Sequence, residues 1–285
     1  MTKDKDHQMS IYVVPDVQVR PGDALDHLDW IAKDIVRRKP DVLVQIGDWW
    51  DLPSLSSHDL PGSLQKENKR LRADIDSGMA AMERLMEPIN KEQARIARRR
   101  IKKWPLRKVF TTGNHENRAD RIADADPTLQ GVVGSGLCNV EFFGFERFEF
   151  LEPVKIEGVH FAHYWQNGLS SRPIGGTIDN RLNKICGSFV CGHEQGLKYG
   201  NRPLPTGKTL HGIVAGSCYL GVEDYRGPQA RNEWRGTVVL HDVRDGEFAP
   251  MFLDLQYLSR EYAGKDLLQY VKEKYPTRDW RHLER

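Results

Sequence analysis

Five short groups of polar residues in this sequence combine the side chains that bind divalent cations. Carboxylate and amide oxygens suit hard cations and imidazole nitrogens suit borderline ones, so a site for two metal ions needs several of each. One such group alone is typical of an ordinary turn, but five in series predict a metal site. In chain order they are Asp16 with Gln18, Asp48 with Asp51, Asn114 with His115, His163, and His193 with Gln195.

The first three groups follow short apolar runs, residues 11–14, 42–46 and 109–112, that are typical of buried strands. Helical spacing of apolar residues between the first two runs, ended by Pro40, predicts a strand, helix, strand unit. Ligands at the carboxyl ends of such strands meet at one edge of an open α/β sheet. Six further short strands are predicted between residues 153 and 253. We therefore expect an α/β fold with two sheets packed face to face and helices outside.

The series resembles the signature of the calcineurin-like metallophosphoesterases, which reads DxH, GDxxD, GNH[DE], H and GHxH. The resemblance runs from Asp16 to Gln195 and is nearest to the family's phage-encoded and DNA repair nuclease branches. It implies a β-sandwich flanked by helices, with two metal ions at one edge that Asp48 bridges. It also implies that one ion is bound tightly by residues that all match the pattern, namely Asp48, Asn114, His163 and His193.

The ligand set of the other ion departs from the family's pattern. It would include Asp16 and Asp48, but Gln18 and Gln195 replace the two histidines. An amide oxygen is harder than an imidazole nitrogen. One interpretation is therefore a weak, exchangeable site that favours Mn²⁺, with Mg²⁺ as the alternative, over Zn²⁺. The other is that the two glutamines hydrogen-bond each other or water and that the protein uses one ion.

By the same resemblance, His115 would assist the leaving oxygen and Asp51 would orient the His115 ring. Arg118, one turn into the predicted helix, is a candidate for binding a phosphate oxygen, and pairing with Glu116 or Asp120 is the alternative. The protein serine/threonine phosphatases have an arginine where this chain has Leu52. That departure argues against a phosphoprotein substrate.

A helical insertion is predicted at residues 63–103, where a stripe of leucine, isoleucine and methionine recurs at helical spacing. Glu87-Pro88 predicts a kink or a second helix there. We treat residues 1–285 as one metallophosphoesterase domain that contains this insertion and a C-terminal helical tail at 261–285. A terminal helix is expected over residues 261–275.

Nine basic residues and one acidic residue, Glu92, lie between Lys91 and Lys108. Because this segment ends just before Gly113, we expect its basic face near the metal edge, where it would suit the backbone of DNA or RNA. The alternative is a solvated helix face.

The bulk properties restrict the class of protein further. The net charge is only +2, and no apolar run is long enough to cross a membrane or resembles a signal peptide. The four cysteines form no CxxC pair, which favours free thiols and a reducing, cytoplasmic location. The sequence does not specify the oligomeric state.

Three functions remain open from the sequence. The first is a metal-dependent phosphodiesterase that cleaves nucleic acid by attack of a metal-activated water. The second is a phosphomonoesterase or small-nucleotide esterase. The third is a non-catalytic binding module that has lost one metal ion, and the retention of Asp51 and His115 argues against it.

Overall fold

The structure is a computed structural model that describes residues 8–56, 67–99, 102–222 and 233–284. These residues form two β-sheets and six α-helices. The strands are β1 Ile11–Val14, β2 Val42–Gln45, β3 Arg107–Thr111, β4 Glu146–Phe148, β5 Val154–Ile156, β6 Val159–Ala162, β7 Phe189–Cys191, β8 Leu197–Pro203, β9 Thr209–Ala215, β10 Gly236–Arg244 and β11 Glu247–Asp254. The helices are α1 Asp26–Arg38, α2 Leu71–Arg98, α3 Asn117–Ala125, α4 Ile178–Ile185, α5 Leu255–Ala263 and α6 Leu267–Lys274.

Both sheets are mixed. The first has the order β11-β10-β1-β2-β3-β4, in which β1 to β4 are parallel and β10 and β11 are antiparallel to their neighbours. The second has the order β5-β6-β7-β9-β8, in which β6, β7 and β9 are parallel. The chain thus leaves the first sheet after β4, builds the second, and returns at β10.

The sheets pack face to face because their central strands are apolar on both sides. In β1, Ile11 and Val13 join the cluster between the sheets, whereas Tyr12 and Val14 join the cluster under the helices. Helices α1, α2, α5 and α6 cover the outer face of the first sheet, and α4 covers the second. The predicted α/β class, with two sheets flanked by helices, is confirmed.

Helix α2 accounts for most of the predicted insertion. It runs without a second start through Pro88, so of the two expected features, a kink or a second helix, the second helix does not form. Proline removes one backbone hydrogen bond, but Leu85, Met86 and Ile89 beside it are buried in the core and hold the helix in place. Residues 63–66 and 100–101 of the predicted insertion lie outside the described residues.

The C-terminal segment also differs from the expectation of one helix. It contains α5 and α6, and α5 begins at Leu255, where the side chain of Asp254 accepts a hydrogen bond from the amide of Tyr257 at 2.6 Å. Gly264, with φ +68°, ends α5 in the left-handed conformation that glycine adopts readily.

Two further expectations concern the cysteines and the membrane. Cys138, Cys186, Cys191 and Cys218 are all free thiols. No helix in the described parts of the chain has the length and apolar character needed to span a membrane.

Candidate metal centre

The predicted ligands lie on loops at the carboxyl ends of strands from both sheets. Asp16, Asp48 and Asn114 follow β1, β2 and β3 of the first sheet, and His163 and His193 follow β6 and β7 of the second. Backbone hydrogen bonds join these loops. The amides of residues 17 and 18 donate to the Asp48 carbonyl at 3.0 and 2.9 Å, and the amide of residue 192 donates to the His163 carbonyl at 3.0 Å.

Four potential donor atoms converge within this edge. Oδ1 of Asn114 lies 2.9 Å from Nε2 of His163 and 2.8 Å from Nδ1 of His193. Oδ2 of Asp48 lies 3.2 Å from Nε2 of His163. Divalent cations bind nitrogen and oxygen at about 2.0–2.2 Å, so two donors of one ion lie about 3 Å apart. The spacing of these atoms fits a single ion.

The hydrogen bonding of His163 supports the same interpretation. Its Nδ1 lies 2.9 Å from the carbonyl oxygen of Ile46 and donates to it, so in the neutral ring Nε2 carries the lone pair. That lone pair faces the oxygens of Asp48 and Asn114, which are acceptors as well. Three electron-rich atoms therefore meet where only a positive charge, a proton or a cation, can satisfy them.

The pKa values of the buried groups show that the site favours positive charge. Burial alone would lower the pKa of His163, but the charges of Asp48 and Asp16 outweigh it and raise the pKa to about 10. Burial acts to raise the pKa of Asp48, yet the rings of His115 and His163 hold it well below its usual range. Burial, followed by the charge on His163, lowers the pKa of His193 to about 4, so that ring is neutral and able to bind a cation.

Three of the predicted ligand residues have left-handed backbone conformations. The φ angles are 48° at Gln18, 52° at Asp48 and 69° at His193. Residues other than glycine adopt this region infrequently, although asparagine, aspartate and histidine do so more often than the rest, and such conformations are often found at functional sites. At Gly47, with φ +90°, a Cβ atom would lie 2.8 Å from Nδ1 of His163, so glycine is required for the ring to approach.

Glu116 has a structural role that the sequence did not indicate. Its buried carboxylate accepts three backbone hydrogen bonds, with Oε2 bound to the amides of Asp48 at 3.0 Å and Gly113 at 2.9 Å, and Oε1 to the amide of Trp50 at 3.0 Å. It thereby fastens the loop after β2 to the loop after β3. A glutamate at a helix start predicts an interaction with the helix itself, and nothing in the sequence indicates this contact.

The second predicted ligand set is built differently. Asp16 is fully buried and its carboxylate accepts from the amide of His193 at 3.1 Å, while burial, with a smaller opposing effect from His163, raises its pKa to about 7. Nε2 of Gln195 donates to Oε1 of Gln18 at 3.2 Å. The two glutamines thus contact each other, as one of the two sequence interpretations expects. Oε1 of Gln195 is buried and has no hydrogen-bond partner among the described residues.

His115 lies beside the converging donors. Its Nδ1 is 2.8 Å from Oδ1 of Asp51, and its Nε2 is 3.7 Å from Oδ2 of Asp48. Burial acts to raise the pKa of Asp51, but the hydrogen bond and charge of His115 dominate and lower it to about 2. A charged carboxylate therefore lies beside the ring, and the orienting role that the resemblance implies for Asp51 stays a prediction.

Arg118 contacts neither of its two predicted carboxylate partners, Glu116 and Asp120. Its guanidinium donates to the backbone oxygen of Asp51 at 2.6 Å and lies 3.0 Å from Nε2 of His115. Arg20, which the sequence did not single out, donates from Nε to Oδ2 of Asp51 at 2.6 Å. Arg118 and Arg20 therefore both contact Asp51 at this edge of the site.

The basic segment at the end of α2 is far from the metal edge, so the expectation of proximity is wrong. Its C-terminal end is joined to the amino ends of the strands, because Trp104 donates to the Pro40 carbonyl at 2.7 Å and Arg107 pairs with Val42 in the sheet. The part of α2 that contacts the Asp48 loop is near Gly78, whose carbonyl accepts from Trp49 at 3.0 Å. From there to Arg98 the helix extends about 30 Å.

Within the basic segment, only some residues lack intramolecular partners. Lys91 and Arg95 pair with Glu87 and Glu92, and Arg107 pairs with Glu146. Arg98 and Arg99 are exposed and make no side-chain ion pair with described residues. Arg100, part of the predicted cluster, lies outside the described residues.

The chain shows low similarity to solved structures and no match to family models or curated sequences. No protein-family model matches it, and no curated protein matches it at a significant level. Among solved structures, the chain is similar to a dimetal phosphatase from Danio rerio, with a TM-score of 0.40 and 11% identity, covering 87% of this chain and 96% of that one. It is also similar to TT1561 of Thermus thermophilus, with a TM-score of 0.35 and 10% identity, covering 87% and 100%. Similarity at this level supports no inference about activity, which has to come from the geometry of the site.

Proposed function

We propose that this chain is a metal-dependent phosphoester hydrolase whose tight cation site is formed by Asp48, Asn114, His163 and His193. The observation that carries the proposal is the convergence of their donor atoms at about 3 Å spacing beside an oriented histidine. A divalent cation bound there would neutralise phosphoryl charge and activate a water for attack.

The chain's own residues would provide the proton chemistry. Asp51 lies 2.8 Å from Nδ1 of His115, so Nε2 is the nitrogen that, in the protonated ring, would donate a proton or hydrogen bond to a leaving oxygen. The Arg118 guanidinium, which can only donate, lies 3.0 Å from Nε2, so this contact requires a lone pair on Nε2. For Nε2 to carry a proton toward a leaving oxygen, Arg118 would have to turn away from the ring, and its charge could then contact a phosphoryl oxygen.

For the cation we propose Mn²⁺, with Mg²⁺ as the alternative. Asp16, Gln18 and Gln195 add oxygen rather than imidazole to this edge of the site, and oxygen-rich sets suit these ions better than Zn²⁺.

For the substrate we propose a phosphodiester in nucleic acid. The exposed Arg98 and Arg99 support this, because clustered guanidinium groups bind a phosphate backbone. Their distance from the site sets a length requirement. One turn of duplex DNA spans about 34 Å, so a duplex of about ten base pairs or more would be needed to reach both.

The same separation favours a second candidate, a small phosphomonoester or nucleotide that contacts the metal edge alone. Such a substrate would need neither Arg98 nor Arg99. Its turnover would therefore be unchanged in a variant that lacks both.

The two candidates and the proposal itself are tested together. The purified protein is incubated with Mn²⁺ and separately with single-stranded DNA, duplexes of graded length, bis-p-nitrophenyl phosphate and p-nitrophenyl phosphate. Diester hydrolysis that rises with duplex length supports nucleic acid, and monoester hydrolysis alone supports the second candidate. Asp48→Ala and His115→Ala are the controls. The proposal would be refuted if no substrate were hydrolysed with any divalent metal. It would also be refuted if both variants were as active as the unmodified protein.

A further inference from the structure

A partly exposed tyrosine lies directly beside the candidate metal centre. Tyr164 follows His163, and the centroid of its ring is 4.7 Å from that of His193 and 5.7 Å from that of His163. Phe150 packs against the same ring, with 5.5 Å between the centroids and 81° between the planes. The ring of Tyr164 is therefore held at the metal edge, and it is only partly buried there.

The next residue in the chain, Trp165, has a different environment. Its ring packs on Phe189, with 5.6 Å between the centroids, and lies against the apolar cluster that includes Leu182 of α4. Trp165 thus extends the core of the second sheet. Of these two adjacent aromatic residues, Tyr164 is the one that contacts the predicted metal ligands.

The charges around Tyr164 suit an anionic substrate. Burial, followed by the charge on Asp48, raises the pKa of Tyr164, and the charge on Arg121 opposes them. The phenol therefore stays neutral near neutral pH and does not repel a phosphate. Arg121 lies on α3, is exposed and makes no ion pair with the described residues, so its guanidinium is available for a phosphate of a bound strand.

A tyrosine ring beside a phosphoester site offers a surface for a planar group of the substrate. Every nucleobase has a π-face, and stacking on aromatic side chains next to cations is how proteins bind single strands without reading their sequence. The leaving oxygen is assigned to His115, whereas Tyr164 contacts His163 and His193. The stacked group is then the one that stays on the phosphorus.

We infer that Tyr164 is the surface on which the base of the retained nucleoside stacks, so that this site prefers nucleotidyl diesters to alkyl diesters. The inference rests on the proposed function, because it assumes hydrolysis at the candidate metal centre. A base stacked on Tyr164 has left the interior of a duplex. The strand at the site is therefore single, or it lies at the end of a duplex.

The test uses diesters that share one leaving group and differ in the group that remains on the phosphorus. They are the p-nitrophenyl esters of thymidine 5′-phosphate, thymidine 3′-phosphate and methyl phosphate. In each, water adds to the phosphorus and p-nitrophenolate leaves, and its release with Mn²⁺ present gives kcat/KM. In the unmodified protein we expect the better thymidine ester to exceed the methyl ester by about tenfold, mainly through a lower KM.

Three variants of Tyr164 separate the ring from its hydroxyl. Tyr164→Phe keeps the ring and should keep the preference, whereas Tyr164→Trp enlarges the ring and should increase it. Tyr164→Leu should reduce the ratio of the two kcat/KM values toward one. The matched control is Tyr257→Leu, which removes an exposed tyrosine on α5 and should leave the ratio unchanged.

The ratio of two substrates measured on one variant is independent of how much of that variant is folded or loaded with metal. The unmodified protein and Tyr164→Trp keep the test decisive if Tyr164→Leu does not fold, and thermal unfolding reports folding separately.

Three results would overturn the inference while leaving the proposed function standing. They are a thymidine-to-methyl ratio near one in the unmodified protein, an undiminished ratio in folded Tyr164→Leu, and loss of the preference in Tyr164→Phe. The last result would assign the recognition to the hydroxyl and not to the ring. Hydrolysis of none of the three esters would refute both the inference and the proposed function.

Discussion

Replacing Glu116 with glutamine tests whether one buried carboxylate holds the two central ligand loops together. Glu116 is 1% exposed and binds the amides of Asp48, Trp50 and Gly113. Glutamine has nearly the same shape but one acceptor oxygen instead of two. In its best orientation it keeps the bonds from Asp48 and Gly113 and turns its NH₂ group toward the amide of Trp50.

The magnitude follows from these contacts. One hydrogen bond to a charged acceptor is lost and a buried N–H is left unpaired, which together cost about 3 kcal/mol. A smaller effect opposes this loss. Burial and the charge on Asp48 raise the pKa of Glu116, so removing its charge relieves some repulsion. We expect Glu116→Gln to lower the free energy of unfolding by about 2 kcal/mol.

The substitution should also weaken metal binding. Asp48 holds a left-handed backbone conformation while its amide is bound to Glu116, and a looser loop would reduce Mn²⁺ affinity by about tenfold. Urea unfolding and Mn²⁺ titration measure the two effects. Glu146→Gln is the matched control, since Glu146 pairs with Arg107 at the surface and should change stability by less than about 1 kcal/mol. Stability and Mn²⁺ affinity equal to those of the unmodified protein would refute the assigned role.

Three further predictions address other parts of the molecule. Gly78→Ala should lower the free energy of unfolding by about 1–3 kcal/mol, despite the better helix propensity of alanine, because the new Cβ would lie 1.7 Å from Nε1 of Trp50. Urea unfolding measures this change, and an unchanged free energy of unfolding would contradict that contact. Burial lowers the pKa of His27 to about 4, so on acidification the unfolded chain takes up a proton at a higher pH than the folded protein does. The free energy of unfolding should therefore fall by up to about 3 kcal/mol as the pH decreases from about 6.5 to 4. His27→Leu should flatten this fall, and an unchanged pH profile would exclude His27 as its cause. If nucleic acid binds the end of α2, replacing Arg98 and Arg99 with alanine should reduce the slope of log affinity against log salt concentration by about 2. Fluorescence anisotropy measures this slope. Arg107→Ala is the control and should change the slope less, because that guanidinium is paired with Glu146.

The parts of the fold that the sequence predicted are those governed by local pattern. Apolar runs followed by polar residues identified β1, β2 and β3 and the loops that carry Asp16, Asp48 and Asn114. The turn between β10 and β11 is equally local, since Asp245 and Gly246, with φ 53° and 91°, are residue types that tolerate that conformation. The structure brings the predicted ligands together at one edge, while their binding of metal stays a prediction.

The remaining features depend on contacts between distant residues, which local pattern does not encode. Strand β10 lies beside β1, pairing Ile11 with Leu240. Helix α2 persists through Pro88 because of buried neighbours rather than its own propensity. The basic segment was misplaced because nearness in sequence to Gly113 was taken for nearness in space. Strand β3 separates the two, and residues before it lie at the opposite edge from residues after it.

The division of the predicted ligands between two sheets has a mechanical consequence. Asp48 and Asn114 follow strands of the first sheet, whereas His163 and His193 follow strands of the second, and a cluster of buried apolar side chains lies between the sheets. A cation bound by all four would act as a cross-link between the layers at one end of the sandwich. Sliding or opening of the sheets would then have to break coordination bonds, so metal loading would stiffen this end of the protein while the opposite end kept its mobility.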